Sequence, residues 1–363
     1  MALELELMTS RADSSATFLQ SAYWAAFKSD FGWRAYRFRL VHAVGSCELS
    51  VLVRSLGMGQ SFAYIPHGPE LHVPEAEQAQ MLAELGRALK PQLPRSCMFI
   101  RFDPPWFHAE EQALPDNCSP VTRPAYGTPL VKSTDVQPPD TVLVDLRPDD
   151  DAILGAMKSK WRYNIRLAEK KGVRVAEEGR SALGLFYELY ETTSKRDGIA
   201  LHARSYYEKL FERANPDGVQ GMAHASEDLR LWVARHEGQA LAAIITVFHG
   251  KRAVYLYGAS SDEKRSLMPA YALQWAAMKA AKSAGCTDYD MYGIPPSDVP
   301  GHPMAGLYRF KTGFGGSILH YAGAWDLPYK VLPYAAFRVA EQARMLWHKK
   351  VRKAFKRGGG AGN

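Results

Sequence analysis

The sequence predicts an α/β chain built from two similar units in tandem, and three observations carry that prediction. The order helix, three strands, helix, strand runs twice along the chain. Within each run the strand segments alternate apolar and polar residues, and the helical segments keep apolar residues at helical spacing. Between the runs stands a turn-forming stretch, Gln137-Pro138-Pro139-Asp140.

The first run opens with a helical pattern from Phe18 to Asp30. Strands follow at Arg34–Val41, Cys47–Arg54 and Phe62–Ile65, then a helix at Glu75–Leu89 and a strand at Met98–Phe102. Thr141–Leu146 reads as a strand after the linker. Asp149-Asp150-Asp151 then opens a helix that closes on Lys170-Lys171-Gly172, with acid at its start and base at its end, as the helix dipole favours. The second run has a helix at Ala182–Lys195, strands at Leu229–Arg235, Ala240–Phe248 and Ala253–Tyr257, a helix at Pro269–Ser283 and a strand at Asp288–Met291. Pro269 at the start of that helix and Gly285 just past its end are the expected punctuation. Antiparallel strands followed by a helix and a returning strand point to an acyltransferase layer of the GNAT type in each unit. From Pro333 the chain reads as an amphipathic, increasingly cationic helix with Arg338, Arg344, Lys349, Lys350, Arg352 and Lys353, and Gly358–Asn363 reads as an unstructured end.

The chain has 363 residues, 47% hydrophobic and 23% charged, with a net charge of +7. That composition suits a globular protein with ample core, and the basic balance suits a phosphate-rich partner. Cys47, Cys97, Cys118 and Cys286 form no C-x-x-C pair, so free and mostly buried thiols in a reducing cytoplasm are expected. The N-terminus has neither a basic nor an apolar leader region, and the longest strongly apolar run, Leu241–Phe248, is too short to cross a bilayer. The expected location is therefore cytoplasmic.

The helix after the linker carries a cationic row, Lys158, Arg162, Arg166 and Lys170, beside an apolar stripe of Ile153, Met157, Trp161, Ile165 and Ala168. Such a row can track a nucleic-acid backbone, or be an ordinary solvated face.

The wording around that row, Lys158-Ser159-Lys160-Trp161-Arg162-Tyr163-Asn164-Ile165-Arg166-Leu167-Ala168-Glu169-Lys170-Lys171-Gly172, resembles the FemABX family, whose members carry a similar R-Y-N-I-R-x-A-x-K-x-G run. Further stretches resemble the same family in the same order. They are Gln20-Ser21-x-x-Trp24-Ala25-x-x-Lys28, Tyr64-Ile65-Pro66-His67-Gly68-Pro69, Ile100-Arg101-Phe102-Asp103-Pro104, Arg196-Asp197-Gly198, Tyr257-Gly258-Ala259-Ser260 and Gly306-Leu307-Tyr308-Arg309-Phe310-Lys311-x-Gly313-Phe314-Gly315-Gly316. The resemblance covers nearly the whole chain.

The resemblance implies two tandem GNAT-like domains, residues 1–146 with 318–363 on the acceptor side and residues 147–317 on the tRNA side. It implies an aminoacyltransferase that moves an amino acid from aminoacyl-tRNA to the side-chain amine of a peptidoglycan stem peptide, carried by UDP-MurNAc-pentapeptide or lipid II. No cofactor beyond that co-substrate is expected. The short stretch between Tyr207 and Leu229 has no heptads, so the chain resembles members without a coiled-coil arm. A monomer is expected, since the two units can cover each other.

Gln20, Trp24 and Lys28 recur at spacings of four, as on one helix face. By the resemblance, Lys28 and Arg196 meet the acceptor's diphosphate; taken alone, either could be a surface ion-pair partner. Tyr64 and Tyr257, each ending the third strand of its unit, can hydrogen-bond substrate or be buried structural phenols. Phe310 can stack on the terminal adenine, a contact worth about 1–3 kcal/mol, or simply pack. Lys311 can stabilise charge on the ester oxygen or the terminal phosphate. Attack by a neutral amine on an ester gains from orientation, and a base would add about 10²–10⁴-fold. Asp103 is the candidate base; alternatively it positions the amine or caps the Pro104-Pro105 turn, and a substrate carboxylate or phosphate takes the proton.

Neither a metal-binding motif nor an acyl-serine motif is present. Arg235-His236-Glu237-Gly238-Gln239-Ala240 fits the GNAT pyrophosphate pattern but falls in a hairpin, while the segment before the Pro269 helix lacks glycines and carries Asp262 and Glu263. Two alternatives remain beside the tRNA-dependent transferase. One is an acyl-CoA-dependent N-acyltransferase. The other is a non-enzymatic module whose basic helix and tail bind RNA or an anionic membrane. The cationic tail would in either case suit contact with the inner face of the plasma membrane, with tRNA affinity as its rival use.

Overall fold

The computed structural model describes residues 3–8, 14–110, 129–214, 227–298 and 304–358. In chain order the first elements are β1 (Glu4–Leu7), α1 (Ala22–Ser29), β2 (Trp33–His42), β3 (Gly45–Gly57), β4 (Gln60–Pro66), α2 (Glu75–Leu89) and β5 (Cys97–Asp103). Then come β6 (Phe107–Glu110), β7 (Val131–Lys132), β8 (Asp140–Asp145), α3 (Asp150–Ala156), α4 (Ser159–Lys170) and β9 (Arg174–Glu177). The second half holds α5 (Leu183–Asp197), α6 (Arg204–Ala214), β10 (Glu227–His236), β11 (Gln239–His249), β12 (Arg252–Ser260), α7 (Pro269–Ser283) and β13 (Asp288–Asp290). The chain closes with α8 (Ala305–Thr312), β14 (Ser317–Tyr321), β15 (Trp325–Pro328) and α9 (Val331–Gly358).

The strands form two mixed sheets. One runs β1-β2-β3-β4-β5-β15-β7, the other β6-β14-β8-β13-β12-β11-β10-β9. In each, three antiparallel strands lead through a helix to a strand that pairs parallel, β4 with β5 and β12 with β13. This is the tandem GNAT-like α/β architecture expected. No coiled-coil arm is present among the described residues.

The expected domain limits do not coincide with the sheets. β8 and β14 both pair inside the second sheet, and the chain re-enters the first only at β15, which slots between β5 and β7. β6, from the first half of the chain, extends the second sheet on β14. The two units therefore exchange strands at both crossings.

Two predicted helices are broken. The pattern from Phe18 to Asp30 divides at Ser21, whose extended backbone and side chain, accepting from Trp24 N, cap α1. Gln20 lies in the preceding 3-10 turn, so it does not share a helix face with Trp24 and Lys28; it is buried, with its amide on Pro66 O and Ser50 N. The long helix expected from Asp149 to Gly172 breaks at Met157 and Lys158, both extended. Lys158 N donates to Gly313 O at 2.9 Å, and the Arg162 guanidinium caps the Gly155 and Met157 carbonyls at the end of α3.

A shared core joins the sheets. Phe18, Trp24, Phe27, Leu52 and Tyr64 of the first unit pack in one cluster with Phe186, Tyr207, Leu231 and Ile245 of the second. Phe27 meets Tyr206 edge-on at 4.9 Å, Tyr23 Oη donates to Leu210 O, and Asp30 pairs with Arg213. Separate clusters lie under α2 and between α4 and α7.

α9 begins at Val331, two residues before the expected Pro333, and Gly358 is its last residue; 359–363 lie outside the described residues. Its inner side is tied to the first sheet by a buried ion network. Arg101 holds Asp326 with two hydrogen bonds at 2.7 and 3.0 Å and also reaches Glu341, while Tyr334 Oη donates to Asp326 at 3.0 Å. Cys97 and Cys286 are buried and Cys47 half-buried, all three as free thiols; Cys118 lies outside the described residues.

Asp326 is fully buried and faces a buried arginine. Asp326→Ala removes the buried carboxylate that Arg101 and Tyr334 share and leaves Arg101 paired with Glu341 alone, and a loss of about 1.5–3 kcal/mol is expected, read as a lower denaturant midpoint at unchanged slope.

Candidate functional site

β12 and β13 pair only from Arg252 and Asp288 to Val254 and Asp290, yet β12 runs on to Ser260. Beyond Val254 the two chains diverge, and Lys311 from α8 spans the opening. Its Nζ donates to Tyr292 O at 2.6 Å and Gly293 O at 3.0 Å, just past β13, and lies 5.0 Å from the centre of the Tyr255 ring on β12. Lys311 is 6% exposed, and burial pushes its ammonium down to about 7, with Asp290 opposing the shift.

A bulge shapes the β12 wall. Thr246 pairs with Tyr255 and Ile245 with Tyr257, leaving Leu256 extra. Tyr255 and Tyr257 would otherwise point the same way; here Tyr255 packs on the cluster under α7 and Tyr257 on the shared core.

From Lys311 a chain of hydrogen bonds crosses to the first sheet. Tyr292 Oη donates to Gln137 Oε1 at 2.5 Å, Gln137 Nε2 donates to Tyr64 Oη at 3.2 Å, and Tyr64 Oη donates to Asp103 Oδ2 at 3.1 Å. Gln137 N also donates to Asp103 Oδ2 at 3.0 Å. Asp290 anchors the near end, accepting from Tyr292 N and Thr141 Oγ1. Asp103 is 1% exposed, and burial pushes its carboxyl up to about 6. So placed, it holds the linker at Gln137 and the Tyr64 hydroxyl. Of the readings open in the sequence, this geometry fits a positioning residue better than a base in direct contact with an amine.

Lys28 forms the third corner. Its Nζ lies 5.3 Å from the Trp24 ring centre, 5.9 Å from Trp33 and 6.0 Å from Tyr206. Burial, and then Arg54, bring it down to about 8. Tyr206 shares a hydrogen bond with Tyr257, and both pack in the core that the two units build together. Lys311, Tyr292, Tyr64 and Asp103 are thus linked across the junction of the two units, with Lys28 and Tyr257 set on the shared aromatic core.

Other expected residues have different work. The Arg196 guanidinium pairs with Asp197 and Asp262 and donates to Ser260 O and Oγ, so it closes the end of β12 instead of presenting a free phosphate clamp. Phe310 packs edge-on against Tyr271 at 5.3 Å and Phe314 at 5.1 Å, and its carbonyl accepts from Trp161 Nε1, so the ring holds α8 against α7 and the carbonyl ties it to α4. Gly313 makes that contact possible: a Cβ there would lie 2.1 Å from the Trp161 indole. In the cationic row Arg162 caps α3, while Lys158, Arg166 and Lys170 are exposed. Arg235, in the pseudo-pyrophosphate motif, sits in the β10–β11 hairpin and is held by Glu178 and Gly238 O.

With this geometry in place, the comparisons with known proteins are decisive. The FemAB family model matches residues 4–217 and 228–342. The chain belongs to the FemAB family. Similar curated FemAB relatives are the lipid II:glycine glycyltransferases of Staphylococcus saprophyticus, 26% identical over 53% of this chain, and of Staphylococcus aureus strain USA300, 25% identical over 58%. The matched part spans 59% and 62% of those two relatives, respectively. The crystal structure of FemX superposes with a TM-score of 0.71 at 20% identity, covering 90% of this chain and 96% of that one, so the fold is shared from end to end.

Gln137, Tyr255, Tyr206, Asp290 and Tyr292 complete the candidate site and were not singled out by the sequence. Gln137 hides beside two prolines in a segment without periodicity. Tyr292 follows a three-residue strand and takes a left-handed backbone (φ 55°), which no spacing signals.

The folded Lys311 titrates near 7 and an unfolded lysine near 10.5. Between those values the unfolded chain binds the extra proton, so this group makes stability rise with pH from about 7 to about 10.5. Lys311→Met is expected to flatten that rise, measured as denaturant midpoints across the window.

Proposed function

We propose that the protein is an aminoacyltransferase that moves an amino acid from aminoacyl-tRNA to the side-chain amine of a peptidoglycan stem peptide and so builds the interpeptide bridge. The observation that carries this reading is a buried lysine bridging the divergent strands of the second unit and hydrogen-bonded through to the first, in a chain of the FemAB family. The acceptor is UDP-MurNAc-pentapeptide or lipid II. The names of the staphylococcal relatives favour lipid II, and with that acceptor the work lies in this reading at the inner face of the plasma membrane.

In this reading Lys311 is the electrostatic group. Two of its three N–H donors hold the Tyr292 and Gly293 carbonyls, and the third serves the developing negative charge on the ester oxygen. Tyr292 and Gln137 line the path between the units and orient the attacking amine, with Asp103 and Tyr64 fixing Gln137 behind them. Lys28, in its aromatic surround, takes a phosphate of the acceptor; Tyr257 and Trp24 hold that corner in shape. Orientation of two bound reactants supplies most of the acceleration, and the amine proton leaves to a substrate carboxylate or phosphate. The exposed Lys158, Arg166 and Lys170 receive the tRNA backbone.

An acyl-CoA donor has less support. The position before α7 where pyrophosphate would bind holds Met268 in a left-handed conformation and Pro269 as the first helical residue, with Asp262 and Glu263 upstream.

The purified protein is to be given a labelled amino acid on tRNA, or a labelled acyl-CoA, with a muropeptide acceptor. Label is expected on the acceptor amine only from charged tRNA; label from acyl-CoA alone overturns the reading. The variant Arg166→Ala, Lys170→Ala is expected to lower the slope of log tRNA affinity against log salt by about 0.7–0.9 per residue removed, read by filter binding from low to moderate salt.

A further inference from the structure

Helix α9 carries apolar residues on two opposite sides. On the inward side Tyr334 and Phe337 pack against Phe99, Tyr334 and Arg338 also reach Asp326, and Glu341 pairs with Arg101. Its outward side is apolar. Leu332, Val339 and Leu346 recur every seven residues and are 82%, 68% and 60% exposed, and Trp347 beside them is 67% exposed. Ala335, Ala336, Ala340 and Ala343 are exposed among them. At helical periodicity these residues fall in one continuous stripe. Glu341 is the sole acid from Val331 to Trp347, and it points inward. A helix on a water-facing surface turns its apolar residues to the core and its polar ones out; here a second apolar stripe faces out along several turns.

The charges around the stripe select what covers it. At the foot of the helix Lys330, directly before Val331, lines a pocket of about 590 Å³ together with Arg87, Lys90 and Arg95. At the other end the sequence of the helix continues with Lys349, Lys350, Arg352, Lys353, Lys356 and Arg357. An apolar stripe with a tryptophan, bounded at both ends by cations, has the chemistry of a helix lying in the headgroup region of an anionic bilayer. A second copy of the chain is a poorer fit. It would bring the same cations to the contact, and its stripe carries no carboxylate to meet them.

We propose that α9 is an interfacial helix that seats the protein on an anionic bilayer, with its outward stripe at the acyl boundary and the Arg87, Lys90, Arg95 and Lys330 pocket receiving a lipid headgroup phosphate. This deepens the reading of a membrane-linked acceptor and rests on it for its purpose, since a helix laid in the interface brings the inter-unit site to the leaflet that holds the substrate.

The test is cosedimentation of the full chain with vesicles of phosphatidylcholine alone and of phosphatidylcholine with phosphatidylglycerol. Binding to the anionic vesicles is expected to exceed binding to the neutral ones at least tenfold. Val339→Glu with Leu346→Glu, and separately Arg87→Glu with Arg95→Glu, are expected to reduce it at least tenfold, while transfer to a water-soluble acceptor stays unchanged. Equal binding by the variants overturns the proposal. So does a lipid-free dimer in light scattering that Val339→Glu with Leu346→Glu dissolves, because the stripe then belongs to a second copy. Binding of millimolar inorganic phosphate by the lipid-free protein that Arg87→Glu with Arg95→Glu abolishes, while that variant keeps full vesicle binding, also overturns the headgroup assignment, since the pocket is then a site for free phosphate. If vesicle binding follows the expected pattern but no protein transfers label, the functional reading fails and this inference stands; the reverse result removes this inference alone.

Discussion

The aromatic cluster shared by α1, α5 and α6 sets the distance between the two sheets, and the rest of the site inherits that distance. Phe27, Tyr206 and Tyr207 lie at the contact, fully or almost fully out of water, and the Asp30–Arg213 pair closes its rim. Burying rings of this size holds the units as one body without a covalent link. The hydrogen-bonded path from Lys311 to Asp103 contains links of 2.5–3.2 Å drawn from both units. Such links tolerate little relative displacement, so this path exists because the cluster behind it is rigid.

Burial does two opposite things along that path. It drives the Asp103 carboxyl and the Lys311 ammonium toward neutrality, from 3.8 to about 6 and from 10.5 to about 7. It also strengthens each hydrogen bond that remains, because water no longer competes. The two charged groups sit at the ends, with neutral tyrosine and amide groups between them. Ends that titrate close to neutrality and a middle that does not are what a site needs if it is to handle an ester and an amine without trapping either in an ion pair.

Much of this was legible in the residues. The limits of α2 and α7 follow from their periodicity and punctuation, and the duplicated order of elements shows in the two sheets. The motif series picked out Lys28, Tyr64, Asp103, Tyr257 and Lys311, which the fold then gathers. What escaped depended on neighbours distant in sequence. The helix that breaks at Met157 keeps its apolar spacing across the break and is weakened there only by Gly155; Gly313, far along the chain, takes the Lys158 amide. For Arg196 the sequence leaves phosphate clamp and ion-pair partner both open until Asp262 comes beside it, and for Phe310 stacking and packing both open until Tyr271 and Phe314 do. β1 and β9 are short edge strands with no buried face to give them an alternating pattern, since most of their residues are exposed.

The same break between α3 and α4 has a mechanical consequence. α4 is attached at its first turn to α8 through two bonds, Lys158 N to Gly313 O and Trp161 Nε1 to Phe310 O. Lys311 stands between those two acceptors on the short helix. The first turn of α4 and the backbone on either side of the lysine thus form one hydrogen-bonded piece, so any displacement of α4 strains the two bonds that flank Lys311.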